Sequence, residues 1–492
     1  MDSQKIFIII ALIIYFAICI GLGLYSMAQS KKASARDFLT AGGNVPWLVN
    51  AVCVFAAFNS GGALMGNFGT AYSAGWGYMC TMCGGTATGM LIASLLVAGP
   101  LRNLRVATVP EFFRQRFHNK LLNILVPVIL ICCITGYLMA QMKVAGMLGE
   151  KIFGLPYSYG VILIAIVYIF YTAVGGMFSV TLTDCFQGFV MLFVLTLAMI
   201  FCVGHFDGLG NLYSTAVSLR PQWAANTTAT YPRFSFLGGF MGWMFVNTCL
   251  PHSIMRVFTA KNAKSGKIGL GMGALLIGFF AINANIIIPA AGVILNNGAD
   301  LGSESDYVFM QVIDNVFPVW FEAITYAGVF AAVMSSVSGM LLSIGSACSY
   351  DLVQVLKPDL SSDKIKKLSS LAIVVFGILS AILSLDPPDL LTILYASAMG
   401  ILASGLAAPV ILGLWWKRTT RYGALASVIV GPVLWIGTYL SGSFPPLSSS
   451  AIAIPVSFIV CIVVSLITPA PANEELEKIA LAHSRELTDA EL

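Results

Sequence analysis

The sequence predicts an all-α polytopic membrane protein with about thirteen transmembrane helices, and three observations carry that expectation. Hydrophobic residues make up 58% of the 492-residue chain and charged residues only 10%, whereas a soluble domain averages about 25% charged. Thirteen apolar runs reach the roughly 20 residues that cross a bilayer as a helix. The basic residues also fall on alternate loops, which sets a topology. With the N-terminus outside and the C-terminus inside, only Lys5, Lys151, Arg220 and Arg233 of the 26 basic residues lie on the outer side, and Lys143 lies within a span. The net charge of +4 is dispersed over short loops, so nucleic acid is not an expected partner.

Taken in order, span 1 (6–27) follows almost no basic segment and lacks a clear cleavage signal, so it reads as a retained helix rather than a signal peptide. Span 2 (47–73) contains "FNSGGALMGNFG", whose glycines at 61, 62, 66 and 69 suggest an interruption. Spans 3 (78–101) and 4 (121–149) are continuous, and span 4 holds Gln141 and Lys143. Spans 5 (156–177) and 6 (182–204) follow, with Asp184 at the start of span 6. Span 7 (235–257) is interrupted at "NTCLPH" by Asn247 and Pro251, and span 8 (267–295) leads to an acidic outer loop at 300–314. Span 9 (318–347) is rich in serine, and spans 10 to 13 (366–384, 388–416, 421–442 and 449–468) precede a short charged tail, 469–492. The expected organisation is a single transmembrane domain, 1–468, with a cytoplasmic tail. The eleven cysteines fall mostly inside apolar runs, including Cys80-x-x-Cys83, and read as small buried hydrophobes.

Two interrupted spans five apart fit an inverted-repeat transporter with its binding site at the breaks. Ordinary glycine-mediated helix packing is the other reading. In span 9, Ala332, Ser335, Ser336, Gly339 and Ser343 form one helical stripe. Facing an unwound helix, its hydroxyls and that helix's free carbonyls would make an all-oxygen cage suited to Na⁺. Alternatively the serines bond back to their own helix and aid packing. Asp184 is a carboxylate at or near membrane depth, either functional or an interfacial helix cap. Lys143 can meet a substrate carboxylate or snorkel to the outer surface. His252 and Arg256 are expected at the cytoplasmic mouth. The chain carries no phosphate-binding loop, nucleophile elbow or histidine–carboxylate metal motif, so no enzyme is expected.

Two longer segments add a resemblance. "GLPYSYGVILIAIVYIFYTAVGGMFS" (154–179) and "GLWWKRTTRYGALASVIVGPV" (413–433) resemble the two signatures of the sodium:solute symporter family. That resemblance implies a LeuT-type fold of five-plus-five inverted repeats, with repeat one over 47–204, repeat two over 235–416, and span 1 and 421–468 as additional helices. It implies a sodium-coupled symporter in a cell membrane, a bacterial inner membrane, working by alternating access. The implied sodium ligands are the carbonyls of Ala56 and Asn59 with Ala332, Ser335 and Ser336. Asp184 and Ser338 match a second sodium site known in some members, although Gly339 stands where a further hydroxyl is expected. "CLPHSIMR" and "GLPY" look most like the sodium/pantothenate branch, while proline transporters share Pro-His-x-x-x-Arg. A small organic carboxylate is therefore expected, pantothenate first, with proline, another amino acid or sialic acid as alternatives. The expected substrate contacts are Ser60, Gln141, Lys143 and Asn247. A membrane solute sensor is the alternative from another class; it expects a kinase domain, and about 24 residues follow span 13.

Overall fold

A computed structural model describes residues 3–225, 232–386, 391–445 and 447–484. The side chains of Ser3, Gln4, Tyr78, Cys80, Tyr171, Val174 and 391–394 also lie outside the described set, as do Arg485 and the end of the tail.

Among the described residues, each of the thirteen expected spans is helical apart from the breaks in spans 2 and 7, and the first residues of span 11, 388–390, lie outside the described set. Ten helices among the described residues are long and apolar enough to cross a membrane. The bent pair Trp47–Phe58 and Gly61–Ala74, folded by 55° at its break, supplies span 2. Span 5 is shorter, Tyr157–Phe170, and span 7 is two helices, Arg233–Val246 and Pro251–Thr259.

Spans 5 and 6 run on as one element, Tyr157–His205, interrupted only at Gly176. That glycine has φ 56°, and a Cβ there would lie 2.4 Å from the Phe38 ring. Chain direction therefore changes at a single left-handed glycine packed against an aromatic side chain. Span 6 consequently starts earlier than the sequence suggests, at Gly175–His205. Asp184 is thus well inside the helix and fully buried, and it is not a cap.

Burial orders the bundle. Span 9 and its continuation, Val319–Leu356, are buried along their whole apolar window, whereas span 1 is 28% and spans 10 and 13 are 33% buried. Span 9 is thus the central post, and its small residues permit that position because neighbouring backbones can approach closely. Its inner end winds wider, as a π-helical segment Ala347–Val353.

Loop contacts fall into two sets that match the two sides expected from the charges. On one end, Lys366 donates to Ala33 O at 2.9 Å, Arg102 to Ala260 O at 2.9 Å, and Arg116 to Gly413 O at 2.9 Å. The tail helix Asn473–His483 docks there, with Asn103 donating to Ala482 O at 3.0 Å. On the other end, Arg220 donates to Ala299 O at 3.2 Å, and Tyr157 to Ser384 O at 2.9 Å. The acidic loop is itself helical over Gly302–Tyr307 and Val308–Val316. Gly69 of span 2 lies so close to it that a Cβ would meet Ser305 O at 2.7 Å.

Candidate functional site at the broken helices

Helix Trp47–Phe58 ends because Asn59 leaves helical geometry (φ −76°, ψ 72°) and Ser60 is extended (φ −75°, ψ 166°). Ser60 then caps Gly61–Ala74, its Oγ accepting from Ala63 N at 3.0 Å. In an unbroken helix Ala56 O and Ala57 O would accept from the amides of residues 60 and 61. Here Ser60 N turns to Phe58 O at 2.8 Å, and span 9 supplies the missing donors. Ser335 donates to Ala56 O at 2.9 Å and also to Ala332 O at 3.2 Å. Ser336 donates to Ala57 O at 3.0 Å.

Three of the five oxygens expected around sodium, Ala56 O, Ala332 O and Ser335 Oγ, are therefore joined by direct hydrogen bonds. The side-chain amide of Asn59 folds back onto Phe55 O at 3.0 Å. The carbonyl facing Ser336 is that of Ala57, a position the sequence reading missed. These groups are wholly or almost wholly buried. Carbonyl and hydroxyl oxygens held this way form a donor set for a hard cation.

Beside the break lies a small chamber. Phe58, Asn59, Asn67, Thr86, Tyr137, Trp243, Asn285 and Tyr395 line it, around a cavity of about 20 Å³, room for roughly one water molecule. Its aromatic rings touch in a chain: Phe58 to Trp243 at 5.6 Å, Trp243 to Tyr395 at 5.7 Å, and Tyr395 to Tyr137 at 5.6 Å between centroids. Tyr395 hydrogen bonds to Asn67, and Tyr137 donates to Ser60 Oγ at 3.2 Å. None of these aromatic residues was legible as a site from the sequence, because they come from four separate spans. The only available signal was their nearness in sequence to break residues, as with Trp243 before Asn247.

The expected substrate contacts separate. Ser60 and Gln141 are at the break, where Gly62 N donates to Gln141 Oε1 at 3.2 Å and the buried Gln141 Nε2 has no hydrogen-bond partner among the described residues. Asn247 ends the first half of span 7, donating to Trp243 O at 2.6 Å, and its buried Oδ1 has no hydrogen-bond partner among the described residues. Lys143 does not line the chamber; its amine is 3.6 Å from Asp306 of the acidic loop.

His252 and Arg256 are not at an open mouth: both are almost fully buried. Arg256 forms a buried ion pair with Asp184. Ser338 lies 3.5 Å from the other Asp184 oxygen and makes its shorter bond, 3.0 Å, to Ser335 O. The sequence reading missed the pair, although two opposite charges inside apolar spans are the usual signal for one.

A model of the sodium:solute symporter family matches residues 38–431. The chain is 29% identical to the osmoregulated proline transporter OpuE of Bacillus subtilis over 489 residues, covering 96% of each. It is 26% identical to a sodium/proline symporter of Staphylococcus aureus over 450 residues, covering 87% of this chain and 85% of that one. Among solved structures it resembles the substrate-bound, outward-open state of a Na⁺-coupled sialic acid symporter, with TM-score 0.81 and 21% identity over 94% and 99% of the two chains. It also resembles the nucleobase-cation-symport transporter Mhp1, with TM-score 0.56 and 15% identity over 89% and 96%. MhsT in complex with L-phenylalanine follows with TM-score 0.53 and 14% identity over 85% and 98%. These likenesses establish the LeuT-type fold.

Proposed function

The chain belongs to the sodium:solute symporter family, and from that premise we propose that it imports a small amino acid, L-proline first, together with sodium. Its class is a multi-pass cell-membrane transporter driven by Na⁺, not an enzyme. The finer assignment rests on one observation above the others: the break in span 2 exposes Ala56 O and Ala57 O to the hydroxyls of Ser335 and Ser336. Sodium entering there takes Ala56, Asn59, Ala332, Ser335 and Ser336 as ligands, with Ala57 added to the set. Its charge holds the broken helix and span 9 together and so favours one orientation of the bundle. The two halves, 47–204 and 235–416, then rock about the site.

Both relatives described above are named as proline transporters. Pantothenate has no support among them, so proline replaces it as the first substrate. Local chemistry favours this choice. The start of helix Gly61–Ala74 offers the positive end of its dipole to a carboxylate, beside Ser60 and Gln141, which already accept from Ala63 N and Gly62 N. The Phe58, Tyr137, Trp243 and Tyr395 rings offer an apolar wall for a compact ring, with Asn247 at the facing break. Lys143 is left out of the proposed contacts, because Asp306 holds its amine.

The test is uptake of labelled L-proline into proteoliposomes containing the purified chain, with a sodium gradient or with choline replacing sodium. Concentrative uptake is expected only with sodium. Uphill uptake in choline refutes the coupling, and sodium-driven uptake of another solute without proline refutes the substrate.

A further inference from the structure

The buried pair Asp184–Arg256 answers a question that the first sodium site leaves open, namely what neutralises the carboxylate of span 6. A fully buried carboxylate that stays ionised needs a cation and hydrogen bonds around it. The chain offers two solutions, an exchangeable sodium ion among hydroxyls or the guanidinium of Arg256.

Three observations favour the guanidinium. Arg256 and Asp184 are in direct contact with side chains 1% and 0% exposed. The second hydroxyl that a sodium site would want at position 339 is replaced by glycine, and that space is taken from the other side. An ideal Cβ on Gly339 would lie 3.3 Å from His252 Cβ and 4.0 Å from Arg256 Nη2. Ser338, the remaining hydroxyl, is directed to Ser335 O at 3.0 Å, with Asp184 at 3.5 Å. Arg256 is also held from behind, its carbonyl accepting from Asn50 Nδ2 at 3.0 Å and from Thr259 Oγ1 at 2.9 Å.

We propose that Arg256 is a built-in second cation, neutralising Asp184 in place of a second sodium ion, so that the chain binds one sodium ion per cycle. This rests on the sodium reading of Ser335 and Ser336. It makes Arg256 a residue that sets ion stoichiometry. Because Arg256 belongs to Pro251–Thr259, the charge that a free ion would carry across the membrane stays tethered to the second half of span 7.

Equilibrium binding of radiosodium to the purified full chain in detergent counts the ions directly, without any substrate. One ion per chain is expected for the wild type, for Arg256→Lys and for Ser338→Ala. Arg256→Gln, which frees Asp184, is expected to bind two. Two ions on the wild type, one ion on a folded Arg256→Gln protein, or loss of the ion in Ser338→Ala overturns the proposal. Should Arg256→Gln fail to fold, the wild-type and Arg256→Lys counts still decide. No bound ion at all ends the sodium reading itself, which a count of two would leave standing.

Discussion

Ser336 carries the clearest expectation. Its hydroxyl donates to Ala57 O, a carbonyl freed by the break, and is a proposed sodium ligand. Removing a hydrogen-bonding group that serves an ion costs about 1.5–3 kcal/mol, which is roughly ten- to a hundredfold in affinity. Ser336→Ala should therefore raise the sodium concentration for half-maximal proline uptake by at least about tenfold, and an unchanged value would sink the assignment. Ser335 was readable from the sequence for the same reason as Ser336: both sit on one stripe of small residues. Ala57 was not readable, because which carbonyl a hydroxyl meets depends on the register between two helices nearly 280 positions apart in the chain, not on either helix alone. The chamber rings were hidden for a related reason. Tyr395 lies 328 positions from its partner Asn67, and no local periodicity links them. Replacing Tyr395 by Phe keeps the ring and removes only the hydroxyl that Asn67 accepts from. Proline affinity should fall modestly while the sodium requirement stays constant. A parallel change in both would place Tyr395 in the ion site instead of the chamber wall.

Gly61 begins the second half of span 2 directly against span 9, so this contact bears on the proposed sodium site. A Cβ at Gly61 would lie 2.2 Å from Val333 Cγ2 and 3.2 Å from Val144 Cγ1. Overpacking of this kind typically costs 1–3 kcal/mol, and here the strain would push the helix start away from Ser335 and Ser336. Gly61→Ala should thus lower thermal stability and weaken sodium dependence together. Val333→Ala in the same chain should restore much of both, because it removes the clashing methyl; additive losses in the double variant would show that the two sites do not touch. Elements of this kind were legible in the sequence where length and apolarity decide them, since a bilayer demands about 20 apolar residues. Both breaks were legible from Asn, Gly and Pro. The junction of spans 5 and 6 was not, because a single glycine with positive φ leaves no polar gap in the sequence. That is why Asp184 resembled a cap when it is the buried partner of Arg256.

The proposed coupling by one sodium ion has a consequence for the electrical behaviour of the whole transporter. A tenfold sodium gradient supplies roughly 1.4 kcal/mol and a potential of 100 mV about 2.3 kcal/mol per charge moved. A zwitterion such as proline moving with one sodium ion carries one net charge inward, so both terms act and accumulation can approach about 500-fold. A monoanionic carboxylate moving with one sodium ion carries no net charge, and only the gradient acts, for about tenfold. Imposing an inside-negative potassium diffusion potential of 100 mV on proteoliposomes should then raise the accumulation plateau about 50-fold for proline. A plateau indifferent to voltage would contradict one-to-one cotransport of a zwitterion. A voltage response alone has two origins, because an anion with two sodium ions also moves one net charge. The radiosodium count separates them: one bound ion together with a voltage-dependent plateau requires an uncharged or zwitterionic solute, and it requires that Arg256 keeps its charge inside the bundle while sodium crosses.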